Sequence, residues 1–225
     1  VSEINVGEKP NELLLSRNGR HLYVANAGDN SVSVVDIVTR KVLEVLNAAL
    51  YPASATGSTS NGLALSENQN ELYVANADNN CLAVFDVSNP GFSKSKGFIP
   101  TGWYPTNVKV IGKKIFVSNG KGFSSMPNKK RPDPSRTDQE VIYQHGDYRK
   151  QQSKIEYIGG LFKGTLSIIN VPADAQLAAY SKSVYDNTPY TKEREMNAKG
   201  ETGDPVPMKV GDPSPIKYVF YIIKE

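Results

Sequence analysis

The chain has 225 residues, 39% of them hydrophobic and 22% charged, with a formal net charge of +3. That length holds one or two domains with a real core. The near balance of charge argues against a general nucleic-acid-binding surface, and no apolar run reaches the roughly 18 residues of a membrane span. The single cysteine, Cys81, excludes a disulfide framework and is expected to pack as a small apolar side chain on a strand.

Taken in chain order, residues 1–7 read as the outer strand of a preceding unit. Residues 11–16, 21–26, 31–37 and 41–46 then read as four short strands. Their breaks, Arg17-Asn-Gly-Arg20, Ala27-Gly-Asp-Asn30 and Thr39-Arg40, hold residues that tolerate positive φ or cap their own turns. Residues 61–66, 71–76, 81–87 and 94–101 repeat the arrangement. Over 11–37 against 61–87, 14 of 27 positions are identical. Four strands in a unit of about 45 residues describe a propeller blade, whose apolar faces pack on its neighbours. Leu15, Leu65, Val24 and Val74 are the expected core residues.

A third, weaker copy starts at Asn107 and runs through Lys114-Ile-Phe-Val-Ser-Asn119, and its third strand follows at 164–171. Gly7 and Gly102 each stand three residues before a proline, Pro10 and Pro105, where the chain enters a blade. Residues 120–163 interrupt the third blade. Residues 121–163 hold nine Lys/Arg and five Asp/Glu, a balance of +4 that leaves the rest nearly neutral. A basic Gly-rich loop could cradle a phosphate with Lys129, Lys130 and Arg131 nearby, although a solvated excursion is the plainer reading. His145 stands alone, without a partner at ligand spacing. A strand near 177–184 should complete the third blade. Residues 186–215 are polar and Pro/Gly-rich, a linker by composition. Residues 216–223 are apolar at seven of eight positions, as in a strand covered on both faces.

These residues resemble a known family. Tyr23-Val-Ala-Asn26, Tyr73-Val-Ala-Asn76 and Phe116-Val-Ser-Asn119 look like the motif of the YVTN-type β-propeller repeats, and packing and turn closure are the expected roles of these side chains. The segment 213–225 is similar to the opening strand of alkaline-phosphatase-superfamily phosphoesterases that follow such a propeller. That resemblance implies that Glu225 ligates a divalent metal in the intact protein.

The expected fold is therefore all-β. About three four-stranded blades (8–48, 58–101 and 105–185) form a partial propeller over 1–185, a linker spans 186–215, and 216–225 begins an α/β domain. The chain reads as a piece of a longer protein, cut at both ends. Its expected function is that of a docking module of a metal-dependent phosphoesterase, without catalysis or cofactor of its own. The alternatives are a non-enzymatic surface-layer or binding propeller and, ranked last, a lactonase-type propeller enzyme, because His21 and His145 are the only histidines. Expected partners are the remaining blades and the phosphoesterase domain of the same polypeptide, with a small-molecule or protein ligand on the propeller face. The expected location is the bacterial periplasm or cell surface, with which the scarcity of cysteine is compatible.

Overall fold

The computed structural model describes residues 2–52, 54–122, 162–188, 203–207 and 211–223. Among these residues eleven strands form three antiparallel sheets. The first sheet holds β1 (Pro10–Leu15), β2 (His21–Asn26), β3 (Ser31–Asp36) and β4 (Lys41–Asn47) in sequential order. The second repeats that order with β5 (Ser60–Leu65), β6 (Glu71–Asn76), β7 (Cys81–Asp86) and β8 (Lys94–Pro100). The third holds β9 (Trp103–Ile111), β10 (Lys114–Gly122) and β11 (Thr165–Asn170). The mostly β, propeller-like architecture expected from the repeats is the one observed.

The period of two along each strand fixes which sheets meet. Leu14, Tyr23, Val34 and Leu46 of the first sheet pack with Leu63, Val74 and Phe85 of the second. On the other side of the second sheet, Ala64, Tyr73, Leu82 and Ile99 pack with Val108, Ile115 and Val117 of the third. Val24 and Val74 are buried and Leu65 is partly buried. Leu15 departs from expectation, with 53% of its surface exposed. It lies on the side of the first sheet away from the second, where no described sheet faces it.

The β1–β2 turn is built by Ser-x-Asn. Asn18 Oδ1 accepts from Ser16 Oγ at 2.7 Å and from Arg20 N at 3.0 Å, while His21 N donates to Ser16 Oγ at 2.9 Å. Ser66, Asn68 and Asn70 reproduce it. Gly19 takes φ +71° there, and Gln69 accepts φ +64° at the equivalent place. The aspartate ending each third strand caps the next turn. Asp36 Oδ1 accepts from Thr39 N at 2.7 Å and Asp86 Oδ1 from Ser88 N at 3.0 Å. The Thr39 N–H, and then the Arg20 guanidinium, hold the Asp36 carboxyl below its ordinary 3.8 against the opposing effect of burial. A depressed native pKa gives stability above the unfolded value that is lost as pH falls through the native one. The urea midpoint should therefore decline below about pH 4, and Asp36→Asn should flatten that acid limb. An unchanged acid limb in the variant would show that this cap carries no proton linkage.

The third blade differs from the first two. The strand expected near 177–184 is instead part of the helix α1 (Asp174–Asn187). Leu177, Ser181 and Val184 recur at the helical spacing of four and three and lie on one face. Leu177 joins the cluster between the second and third sheets, and Val184 the one between the first and second. Ser181 Oγ accepts from Phe98 N at 2.9 Å and donates to Leu177 O at 2.8 Å. Lys96 bridges Glu71 at 2.6 Å and Asp174 at 3.2 Å, which ties the start of the helix to the second blade. Strand β10 reaches Gly122 and β11 begins at Thr165, so most of the interruption, including Lys129, Lys130, Arg131 and His145, lies outside the described residues.

The chain divides into two compact units, 1–184 and 185–225. In the second, residues 216–223 pair with no described strand, and their side chains are exposed, Phe220 to 91%. The strand expected there is not formed: among the described residues no ladder receives its N–H and C=O groups. No described helix is long and apolar enough to cross a membrane.

Candidate functional site

The register of the three sheets shows which residues are equivalent. Leu13, Leu63 and Val108 each face the central valine of a second strand, namely Val24, Val74 and Val117. Pro10, Ser60 and Pro105 each face the motif asparagine, namely Asn26, Asn76 and Asn119. The third copy is thus offset by one residue from the alignment that began it at Asn107. Thr106 is the counterpart of Asn11 and Asn61, and Asn107 that of Glu12 and Gly62.

The motif asparagines are fully buried and structural, as expected. Asn26 Nδ2 donates to Ser31 Oγ and Ser33 Oγ, both at 2.9 Å. Asn119 Nδ2 donates to Ser167 Oγ at 2.9 Å and Thr165 Oγ1 at 3.2 Å. In the second blade Cys81 and Ala83 replace those hydroxyl residues. Asn76 Nδ2 turns instead to Ala48 O at 2.6 Å, and its Oδ1 accepts from Ser60 Oγ at 3.2 Å. Asn26 Oδ1 and Asn119 Oδ1 have no partner among the described residues, since Pro10 and Pro105 stand where Ser60 supplies a donor. Cys81 is buried beside Asn76, and burial pushes its thiol up to about 12. It should resist a thiol reagent at pH 8 until the protein is denatured, and rapid native labelling would contradict this packing.

The first strands of the blades gather into a polar hub. Asn11 Nδ2 donates to Asn61 Oδ1, joining β1 to β5. A Cβ on Gly62 would lie 2.6 Å from Asn107 Cα, so β5 and β9 approach too closely for any side chain there. Glu12 stands on β1, partly exposed, next to Asn11. At the turn end of the same strands, Arg17 N donates to Gln69 Oε1 at 2.8 Å and Gly112 N to Glu67 Oε1 at 2.6 Å, fixing the blades relative to one another. The hub therefore brings amide donors (Asn11, Asn61, Asn107), a hydroxyl (Thr106) and one carboxylate (Glu12) onto three adjacent strands.

Of the residues singled out from the sequence, Glu225 lies outside the described residues. His21 opens β2 opposite Asp36, away from the hub. Among the described residues no three His, Cys, Asp or Glu side chains gather to hold a metal. Sequence reasoning missed Glu12. The available signal was a break in the repeat, with glutamate, glycine and asparagine at equivalent places while the next position stays aliphatic as Leu13, Leu63 and Val108.

The sequence pattern of the family described as "Lactonase, 7-bladed beta-propeller" matches residues 3–122. No curated protein sequence matches the chain. Among solved structures, a putative 6-phosphogluconolactonase from Bacteroides uniformis is 24% identical, with a TM-score of 0.44 over 51% of this chain and 34% of that one. The periplasmic gluconolactonase of Pseudomonas aeruginosa is 22% identical, with a TM-score of 0.47 over 52% and 34%. The hydrazine synthase of Kuenenia stuttgartiensis is 23% identical, with a TM-score of 0.43 over 53% and 32%. The chain spans about a third of the length of each.

The family match overturns the expectation of a phosphoesterase docking module with the lactonase type ranked last. That ranking rested on the shortage of histidine. Ester hydrolysis also runs on a carboxylate with amide donors, and these are the residue types in the hub.

Proposed function

We propose, for a chain that belongs to the lactonase family of seven-bladed β-propellers, that its hub binds a cyclic ester and contributes to opening it. The observation that carries this reading is the amide pair Asn11–Asn61, which spans two first strands beside Glu12. In the reaction, water adds to the ester carbonyl and the ring C–O bond breaks. The product is an open-chain hydroxy acid. Glu12 takes the proton from the attacking water and returns it to the departing ring oxygen. The Asn61 side-chain N–H group makes no hydrogen bond among the described residues and donates to the oxygen on which negative charge develops. Both groups are held by strands rather than loops, which keeps their positions fixed through the reaction.

The test is a pH-stat assay of γ- and δ-lactones with the protein expressed from its full gene. Glu12→Gln keeps size and polarity but cannot take a proton, and should lower kcat by about 10²–10⁴. Asn61→Ala should lower it by roughly 10²–10³. Full activity in Glu12→Gln would sink the assignment.

A further inference from the structure

Residues 2–7, which the sequence presents as the outer strand of a preceding unit, pair with no strand among the described residues. Yet the bend that follows them is the one that elsewhere joins an outer strand to the next blade. Lys9, Thr59 and Tyr104 stand at the same place before β1, β5 and β9, with φ of 49°, 51° and 61°, a backbone that non-glycine residues seldom take. The anchoring matches as well. Ala27 N donates to Lys9 O and Gly28 N to Glu8 O, both at 3.0 Å. Ala77 N donates to Thr59 O at 3.1 Å and Asp78 N to Ser58 O at 3.2 Å. A Cβ on Gly7 would lie 2.6 Å from Asn26 Cγ, and one on Gly102 would lie 2.8 Å from Asn119 Cγ. The first sheet thus holds a bend made for an outer strand, and residues 2–6 lead into it.

The third sheet has the complementary open edge. Strands β3 and β7 each lie between two others and are buried along almost their whole length. Among the described residues β11 pairs with β10 alone, and Leu166 and Ile168 keep 61% and 57% of their surface exposed. Helix α1, which follows, turns to β8 instead, where Ser181 Oγ accepts from Phe98 N. Strand β11 is uncharged and holds neither a proline nor a bulge, the devices by which edge strands refuse partners.

We infer that residues 2–6 of one copy add to the β11 edge of a second copy, as the fourth strand of its third blade. The repeat sets the register. Val32 pairs with Leu46, and Leu82 with Ile99. Leu166 is the counterpart of Val32 and Leu82, since Thr165 faces Asn119 as Ser31 faces Asn26 and Cys81 faces Asn76. Ile4 stands six residues before Pro10, as Ile99 stands six before Pro105. Leu166 therefore meets Ile4, and Ser167 meets Glu3, in an antiparallel pair. The second sheet packs between the first and the third, so the segment meets β11 on another copy rather than on its own. Nothing in this pairing depends on chemistry at Glu12.

The test uses cysteine pairs in the 225-residue chain. Glu3→Cys mixed with Ser167→Cys under mild oxidation should give a disulfide-linked heterodimer, because opposed strand residues lie within the Cα separation that a disulfide spans. Glu3→Cys mixed with Ile168→Cys should give little, because the adjacent residue faces the other side of the sheet. Cys81 is buried and stays out of the reaction. Hydrogen exchange over 2–6 and 165–170 should slow together as concentration rises. Ile4→Asp places a charge where the counterpart Ile99 is 1% exposed, and should weaken self-association about tenfold. Its melting temperature in dilute solution should not change, since Ile4 has no strand partner within one copy. The inference is overturned if exchange over 165–170 is already slow in the dilute monomer, which would put another segment of the same chain on that edge. It is overturned equally if both cysteine mixtures cross-link to the same extent, as a loose contact of sheet faces would, or if neither does.

Discussion

Gly62→Ala is expected to destabilise the protein by about 3 kcal/mol and to lower its melting temperature by roughly 5–15 °C. The added methyl would stand 2.6 Å from Asn107 Cα and 3.1 Å from Val108 N. Both are backbone atoms of β9, so no rotamer change relieves the overlap. Either β5 or β9 must move away, and the buried layer from Ala64 to Val108 opens with it. Gly19→Ala is the control. Its Cβ would meet nothing within 4 Å, and only the φ of +71° opposes it, a cost of about 1 kcal/mol. Thermal unfolding of the two variants side by side separates steric exclusion from backbone preference. If Gly62→Ala melts within a degree or so of Gly19→Ala, the two first strands do not touch in solution.

The repeat made the first two blades legible because strands alternate with a period of two, and Tyr23/Tyr73 and Val32/Leu82 alternate in both copies. The third blade was harder to read. Thr106 stands where Asn11 and Asn61 mark the other copies, so Asn107 attracted the alignment and shifted it by one residue. Residues 177–184 suggest a strand rather than helix α1 because Leu177, Tyr180 and Val184 are few and widely spaced. Ala175, Ala178 and Ala179 among them are strong helix formers and gave the better signal. In 216–223 the apolar run indicated what a strand would be made of but not whether a partner strand is present. The hub lay beyond reach for another reason. Glu12 takes its meaning from Asn61 of the next blade, and such neighbours between sheets are set by how the blades pack rather than by sequence distance.

The chain should also self-associate, by a contact whose polarity can be tested. Leu13, Leu15, Leu43 and Val45 are 40–63% exposed on the first sheet. On the third, Ile111, Leu166 and Ile168 are 57–67% exposed. Apolar sheet faces of this kind, typically several hundred Å², associate in water. The two faces differ in shape and composition, so the closest mimic of the blade-on-blade packing within the chain sets the third sheet of one copy on the first sheet of the next. Such a head-to-tail contact does not close on itself and propagates into open oligomers. Sedimentation velocity of the wild-type chain should therefore show species growing with concentration. Leu13 and Val45 lie in one row through Val24 and Ser33, so Leu13→Lys with Val45→Glu disables the first face. Leu166→Lys with Ile168→Glu disables the third. Each double variant alone should be monomeric, with little change in melting temperature because the replaced side chains are already exposed. Mixed one to one, the two variants keep one good face each and should form a dimer that grows no further. A face-to-self contact would instead leave one of the double variants dimeric on its own, and a wild-type chain that stays monomeric at all concentrations would show that neither face is adhesive.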